Sequence, residues 1–302
     1  MARSPAATPP GAIPFLRAPE RTERTDHADH TERLNALNAL EARPMPVDRP
    51  TDGKGSADRP DYGRLAAVGP YFALDTAATP GAGPPPGFRP LPELYGTGPD
   101  PPLARRIRVV AQRLGTAEPR VAASILHLGL AARFWSVGLG AAVLLGTVPT
   151  LEHAWVRIPD QGPLDLWTPP EPPVPAPSST SLPTSLPLAD QLYEAVLVGQ
   201  LEPLAAAVRS AAPLSARLLT GNAASALAGT LRVLDAHAPV PARALVAELL
   251  ARPPLAGTGT LRTGPHGAAF RRTSCCLYYR VGPGAGVCGD CCFTRPPAPR
   301  RD

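Results

Sequence analysis

Arg271-Arg272-Thr273-Ser274-Cys275-Cys276-Leu277-Tyr278-Tyr279-Arg280, a Gly/Pro loop, and then Cys288-Gly289-Asp290-Cys291-Cys292 hold all five cysteines of a 302-residue chain. A chain that avoids cysteine elsewhere and gathers it in one short segment uses it for ligation, redox chemistry or crosslinking rather than for packing. Cys288 and Cys291 have C-x-x-C spacing, which lets two thiolates reach one metal from a tight turn. Cys275 and Cys276 are adjacent, and neighbours on an extended strand point to opposite faces. They can share a centre only if the chain bends sharply or if the centre is large enough to be approached from two sides. A two-iron cluster suits that better than a single zinc ion. Four thiolates complete a [2Fe–2S] set and would equally satisfy a tetrahedral structural zinc, so spacing alone leaves both open. Familiar zinc ribbons use C-x-x-C twice, and the common ferredoxin spacings do not match. Disulfides suit small secreted domains, and no apolar signal-peptide core follows Met1.

Composition sets the frame. Proline is 42 of 302 residues, about 14 %, against a usual share of about 5 %. Lys54 is the only lysine, so nearly all the positive charge is Arg. The net charge of +5 is therefore weak evidence for nucleic acid. Aromatics at 5 % argue against stacking platforms for single strands, and no helix-turn-helix signal is present.

Residues 1–60 are polar and Pro-rich and read as a disordered tail, with Met45 an alternative start. Thr22-Glu23-Arg24 recurs there as Thr31-Glu32-Arg33, around Asp26-His27 and Asp29-His30, in what reads as a solvated tail rather than a metal site. A short apolar patch at Gly69-Pro70-Tyr71-Phe72 follows. Leu103, Ile107, Val110 and Leu114 fall on one helical face, ended by Gly115. Pro119 opens the next helix, with a buried stripe of Val121, Ile125, Leu128 and Ala132. A break is expected near Ser136, which would cap a further helix ending at Gly146. The span 121–151 is apolar enough to raise a transmembrane reading, but Arg133 and His127 inside it favour two buried core helices.

Val156-Arg157-Ile158 and Leu164-Asp165-Leu166-Trp167 read as a short hairpin. Residues 169–187 form a Pro/Ser-rich loop. A helix or helix pair is expected over Leu188–Ser210, bent near Gly199–Pro203. Ser215 caps a helix to about Ala236 that contains the small-residue run from Gly221 to Gly229. Pro241 opens the last helix, to about Arg252. Residues 255–267 read as a turn-rich connector. The expected fold class is mainly α: a helical domain over 61–254 with a short β-hairpin, and a small C-terminal cysteine-bearing module over 255–302.

The cysteine segment resembles the C-terminal motif C-C-x10-C-x-x-C of the FhuF-like ferric siderophore reductases. The basic residue and Ser before the pair (Arg272-Thr273-Ser274), Leu277-Tyr278-Tyr279-Arg280 and the Gly/Pro loop match as well. Leu277 to Val287 is eleven residues rather than ten, and the extra one falls in Gly282-Pro283-Gly284-Ala285-Gly286, which is flexible enough to absorb it. The resemblance extends more softly to Arg133-Phe134-Trp135 and to the Gly221–Gly229 run. It implies that Cys275, Cys276, Cys288 and Cys291 hold a [2Fe–2S] cluster, with Cys292 the alternative to Cys291 as fourth ligand. Arg271, Arg272 and Arg280 would favour its more negative, reduced state.

The implied activity is reduction of Fe(III) in a ferric siderophore, of hydroxamate type for example, in the cytoplasm. Gly282–Gly286 neither follows a strand nor opens a helix, so it is no dinucleotide fingerprint. Electrons would then come from an external donor such as a ferredoxin or a flavin reductase. No nucleic acid partner and no transmembrane segment are expected, and peripheral association with a membrane is compatible. Arg133, Trp135 and Asn222 are candidates for a substrate surface, although each also reads as a core residue. Two other classes use the same thiolates: a zinc-stabilised interaction module, and a cluster-based redox or iron sensor.

Overall fold

In the computed structural model, residues 60–77, 79, 81–159, 162–170, 186–264, 267–282 and 284–297 are described. The expected tail, its Asp/His repeat and almost all of the Pro/Ser-rich loop lie outside them. A single helical turn, α1 (Gly63–Ala66), leads into the apolar patch, where Leu65, Phe72 and Leu74 are buried. Two short strands follow, β1 (Asp75–Thr76) and β2 (Arg89–Pro90), then a 3-10 turn over Leu91–Tyr95. Helix α2 (Pro102–Leu114) has Pro at its first position and ends on Gly115 in the left-handed conformation, φ 62°. Leu103 and Ile107 are its buried residues, as the spacing predicts.

Helix α3 (Pro119–Leu145) differs from expectation: it runs 27 residues without a break at Ser136. Ser136 lies mid-helix with its hydroxyl 3.4 Å from Thr230 Oγ1, so it faces a neighbouring helix instead of capping one. Gly138 and Gly140 mark close packing rather than a break. A Cβ at Gly138 would stand 2.6 Å from Val196 Cγ2, and one at Gly140 2.7 Å from Phe72 Cδ1. The predicted stripe is also too narrow, because burial extends nearly round the helix through Ala122, Leu126, Leu130, Phe134 and Trp135, while Ile125, Leu128 and Ala132 are only half-buried. A helix apolar on all sides belongs in a core or a membrane. By length and composition α3 could cross a bilayer, but 67 % of its most apolar window is already buried within the protein.

β3 (Trp155–Arg157) and β4 (Asp165–Thr168) form the expected antiparallel hairpin, with Val156 opposite Leu166. The structure extends it to a four-stranded sheet, order β1-β4-β3-β2, in which β1 pairs parallel with β4. The two outer strands are only two residues each, too short for a periodic pattern. Helix α4 (Leu188–Leu192) continues through a π-helical stretch, Tyr193–Leu201, into α5 (Glu202–Ala211). The irregularity expected near Gly199–Pro203 is this widened turn. Helix α6 (Ala216–Leu234) is capped by Ser215 Oγ, which accepts from Leu218 N at 3.2 Å. Helix α7 (Pro239–Leu250) starts two residues before Pro241, with Pro239 at its first position.

The connector expected at 255–267 is corrected as well. β5 (Gly259–Gly264) and β6 (Gly267–Arg272) pair as an antiparallel hairpin, Gly259 opposite Arg272. Its Gly- and Thr-rich first strand is mostly exposed, which leaves no apolar alternation to read. β6 alternates, burying Ala268, Phe270 and Arg272. Phe270 and Ala268 join the same core as α3 and α6. The hairpin thereby delivers Arg272 and the cysteines that follow it onto the α3–α6 pair.

Candidate functional site: a four-cysteine ring on the α3–α6 pair

Immediately after β6 the chain crosses α6. A Cβ at Gly221 would meet Ser274 Oγ at 2.2 Å and Arg272 Nη2 at 3.0 Å. The small-residue run expected to let helices approach is thus the seat of the cysteine segment. Its other side chains fasten neighbours. Asn222 Nδ2 donates to Ser124 O at 2.9 Å and to Ser124 Oγ at 3.2 Å on α3. Trp135 Nε1 donates to Ala223 O at 3.1 Å. Ser124 Oγ in turn donates to Cys276 O at 2.7 Å, within a buried site.

The sharp bend required by the adjacent cysteines is present. Leu277 takes φ 68°, a left-handed conformation unusual for a residue with a side chain. Its N–H donates to Cys275 Sγ at 3.2 Å. The bend turns both sulfurs to one side, toward the second pair. Cys276 and Cys288 sulfurs are 3.3 Å apart. Cys275 lies beside Cys276 and Cys291, close enough to shift their titration, and Cys288 lies beside the same two. Four sulfurs therefore close a ring. Cys276, Cys288 and Cys291 are buried, and Cys275 is half-exposed. Cys292 stands outside the ring, beside Cys291 alone. The structure brings together Cys275, Cys276, Cys288 and Cys291, and it leaves Cys292 on the rim.

Protons in the ring are shared unevenly. Hydrogen bonds from Cys275 and then Cys288 hold Cys276 well below the ordinary thiol range, against burial and with help from the Arg272 charge. The same two donors lower Cys291. Cys275 and Cys288 are pushed up because they give those bonds. Backbone N–H groups add to the pattern, as Phe293 N donates to Cys291 Sγ at 3.4 Å. Such thiols give up their shared protons to a soft metal centre. Among the described residues no set of His, Cys, Asp or Glu stands apart around a common point as ion ligands do; the sulfurs touch one another. Binding a metal centre therefore requires the sulfurs, 3.3 Å apart at Cys276 and Cys288, to move apart.

The second test of fit is an unpaired cation. Arg272 is 2 % exposed, and its Nε and Nη1 have no hydrogen-bond partner in the structure. Nη2 donates to Leu218 O at 3.3 Å and to Ser274 Oγ at 3.5 Å. No side-chain carboxylate is among these partners. An anionic group beside the cysteines would supply the missing counter-charge, and a four-thiolate centre is one. Next to Arg272 lies His127, buried with both ring nitrogens unpartnered. Burial first, and the Arg272 charge second, draw its pKa down to about 3, which keeps it neutral.

Asp290, inside the C-x-x-C loop, was not anticipated from the sequence. Its carboxylate accepts from Ser225 Oγ and, at 3.0 Å, from Arg232 Nη1, both on α6, and its carbonyl accepts from Arg272 N at 3.0 Å. It pins the second cysteine pair to the helix. The available signal was its place as the acidic residue within the motif. Ser124, His127 and Ser225 carried no comparable signal, since each is a lone polar residue in an apolar helix.

The three candidates for a substrate surface are corrected. Arg133, Trp135 and Asn222 are all buried. Arg133 donates to the carbonyls of Leu164 at 2.8 Å, of Tyr71 at 2.6 Å and of Ala73, which ties α3 to β4 and to the apolar patch. Nor is the charge of the three expected arginines equal at the site. Arg280 pairs with Glu118 at 2.8 Å, and Arg271 is exposed, donating to Cys292 O at 3.3 Å. Only Arg272 is enclosed.

A cavity of about 750 Å³ lies elsewhere, between Tyr95, Val148, Glu152, Glu194 and Gln200. It opens beyond the C-terminal end of α3, whereas the cysteines sit near Ser124. Along the helix axis Ser124 and Leu145 are roughly 30 Å apart, so the cavity is not part of the cysteine site.

Fold and site together are those of a helical protein with four cysteines gathered on its α3–α6 pair. Residues 272–293 match the family model described as the FhuF 2Fe-2S C-terminal domain. That segment is an iron–sulfur domain of this kind, and its cofactor is a [2Fe–2S] cluster. Neither a curated protein nor a solved structure matches the chain.

Proposed function

We propose that the chain is a ferric-siderophore reductase working in the cytoplasm, with residues 61–254 as the helical body and 255–302 as the cluster segment. Cys275, Cys276, Cys288 and Cys291 are its ligands. The observation that carries this reading is the closed ring of those four sulfurs inside the matched segment, with Cys292 outside it. When bound, the cluster supplies a one-electron carrier. Ser124 and Asp290 hold the two cysteine pairs in place from α3 and α6, and Arg272 offsets negative charge from within the core. The half-exposed Cys275 leaves one side open to a donor and to a substrate. A ferric chelate, hydroxamate for instance, needs only one electron: Fe(III) becomes Fe(II), a softer ion that hard oxygen ligands hold less firmly. No general acid or nucleophile is required, which agrees with a site made of thiols and buried cations.

The test is anaerobic purification followed by visible and EPR spectroscopy, then turnover of a ferric hydroxamate with capture of Fe(II). A brown protein that gains a spin-half signal on reduction and releases Fe(II) supports the reading. Cys276→Ser and Cys288→Ser should lose both colour and turnover, and Cys292→Ser should keep both. A colourless protein with stoichiometric zinc would establish the zinc-stabilised module instead. A coloured protein that never reduces the chelate would leave a sensor.

A further inference from the structure

Within the described residues of the C-terminal segment, 255–264, 267–282 and 284–297, Asp290 is the only acidic residue, and it is buried against Ser225 and Arg232. The same residues include Arg262, Arg271, Arg280 and Arg295, all exposed. Among the described residues of the segment, every exposed charge is therefore positive. Neighbouring α6 adds Arg217, exposed, whose Nη2 donates to Thr273 O at 3.2 Å just before the cysteine pair. Arg271 reaches over the rim to the carbonyl of Cys292. Glu118, which approaches the segment at Arg280, is already engaged by Arg280 and Arg120 at 2.8 Å and 3.0 Å.

Arg271 and Arg217 thus stand beside the open side of the ring, where Cys275 and Cys292 are half-exposed while the other three cysteines are buried. An apolar element follows Cys292. Phe293 is 39 % exposed and stacks edge-on against Tyr279, ring centres 6.1 Å apart. An exposed aromatic with exposed arginines close in sequence, Arg271 held to the neighbouring Cys292 carbonyl, has the composition of a protein-docking patch, with an apolar centre and a charged margin. The half-exposed Cys275 and Cys292 make this the accessible side of the sulfurs.

We propose that the face formed by Arg217, Arg271, Arg295 and Phe293 is the docking surface for an acidic one-electron carrier protein, which delivers the electron at the Cys275–Cys292 edge. The proposal rests on the cluster reading above and adds the partner. A carrier with a negative surface is steered onto this face, and its own acidic margin would pair with the guanidiniums around Phe293. In the transfer itself the reduced carrier loses one electron and the oxidised centre of this chain gains it, with no bond made or broken.

The experiment mixes the loaded protein with a reduced acidic [2Fe–2S] ferredoxin in a stopped-flow instrument and reads the second-order rate against ionic strength. Raising salt from about 0.01 M to about 0.15 M shortens the screening length from about 30 Å to about 8 Å, and the rate should fall at least about tenfold. Arg271→Glu should lower the low-salt rate by a similar factor. Because Arg271 and Arg217 each also hold a carbonyl of the segment, Arg295→Glu provides an independent variant with the same expectation. Arg89→Glu, on the outer strand β2, makes the same change in net charge away from this face and should leave the rate within about twofold. A rate insensitive to salt, or equally lowered by Arg89→Glu, overturns the proposal. So does a charge reversal that slows only the reduction of an anionic ferric chelate, since the rim would then serve the small substrate. A colourless protein at the mixing step would instead show that the cluster reading itself has failed.

Discussion

Ser124→Ala removes a single oxygen, and the structure says where the loss falls. Ser124 Oγ donates to Cys276 O at 2.7 Å, and both residues are buried. Removing the donor and leaving that buried carbonyl unsatisfied costs about 1–3 kcal/mol. A loss of about 2 kcal/mol is expected. For a folded region of this size each kcal/mol moves Tm by about 2–4 °C, so the shift is about 4–8 °C. The joint between helices survives, because Asn222 Nδ2 keeps its bond to Ser124 O at 2.9 Å. The damage is therefore focused on the Cys275-Cys276 bend. Differential scanning calorimetry should show the Tm fall, and the visible absorbance of the cluster should bleach faster in a chelator than in the parent protein. Ser136→Ala is the internal comparison. Its hydroxyl makes only a 3.4 Å contact with Thr230, whose own hydroxyl also donates to Ala226 O, so under about 1 kcal/mol is at stake and cluster lability should not change. Equal effects from the two substitutions, or a Ser124→Ala protein with Tm and bleaching unchanged, would refute the claim that α3 holds the first cysteine pair.

Arg272→Gln should lower the reduction potential. The enclosed charge acts on Cys276, so the shift should be some tens of millivolts, where a tenfold change in the equilibrium is about 59 mV for one electron. Arg280→Gln should shift it much less, because Arg280 is exposed and paired with Glu118; spectroelectrochemical titrations giving equal shifts would contradict the role given to Arg272. His127 predicts an acid-side loss of stability. Its pKa is about 3 when folded against about 6.5 unfolded, so the unfolded chain binds the extra proton as pH falls below 6.5. The stability that His127 contributes is present above that value and is lost progressively toward pH 3. Between pH 7.5 and pH 5.5 the loss is about 1.4 kcal/mol. Chemical unfolding at the two pH values should show His127→Phe to be less acid-sensitive by about that amount, and an unchanged difference would assign the acid sensitivity to other groups.

The helices were legible because each has a local cause. Pro119, Ser215 and Gly115 mark their ends through a missing N–H, a side-chain acceptor and a permitted positive φ, and none of these depends on distant residues. The same holds for the cysteines, whose concentration in one segment already announces a four-thiolate centre. What local pattern could not supply was length and partnership. α3 continues through Ser136 because α6, Val196 and Phe72 enclose it, and packing outweighs a Ser and two Gly that would weaken an exposed helix. The β5–β6 hairpin escaped notice because strand pairing is a contact between segments, and its outer strand has no apolar face to betray it. Which cysteine completes the set is likewise a three-dimensional matter. Cys291 and Cys292 are neighbours in sequence, but Asp290 anchored to Ser225 and Arg232 turns Cys291 inward and leaves its neighbour on the rim. By itself, then, the sequence determined a mainly helical chain with a thiolate centre near its end, since turn chemistry and cysteine count are local properties. The tertiary structure alone decided which sulfurs meet, which arginine stays buried beside them and which face remains open, because each depends on contacts with helices 54 to 152 residues away in sequence.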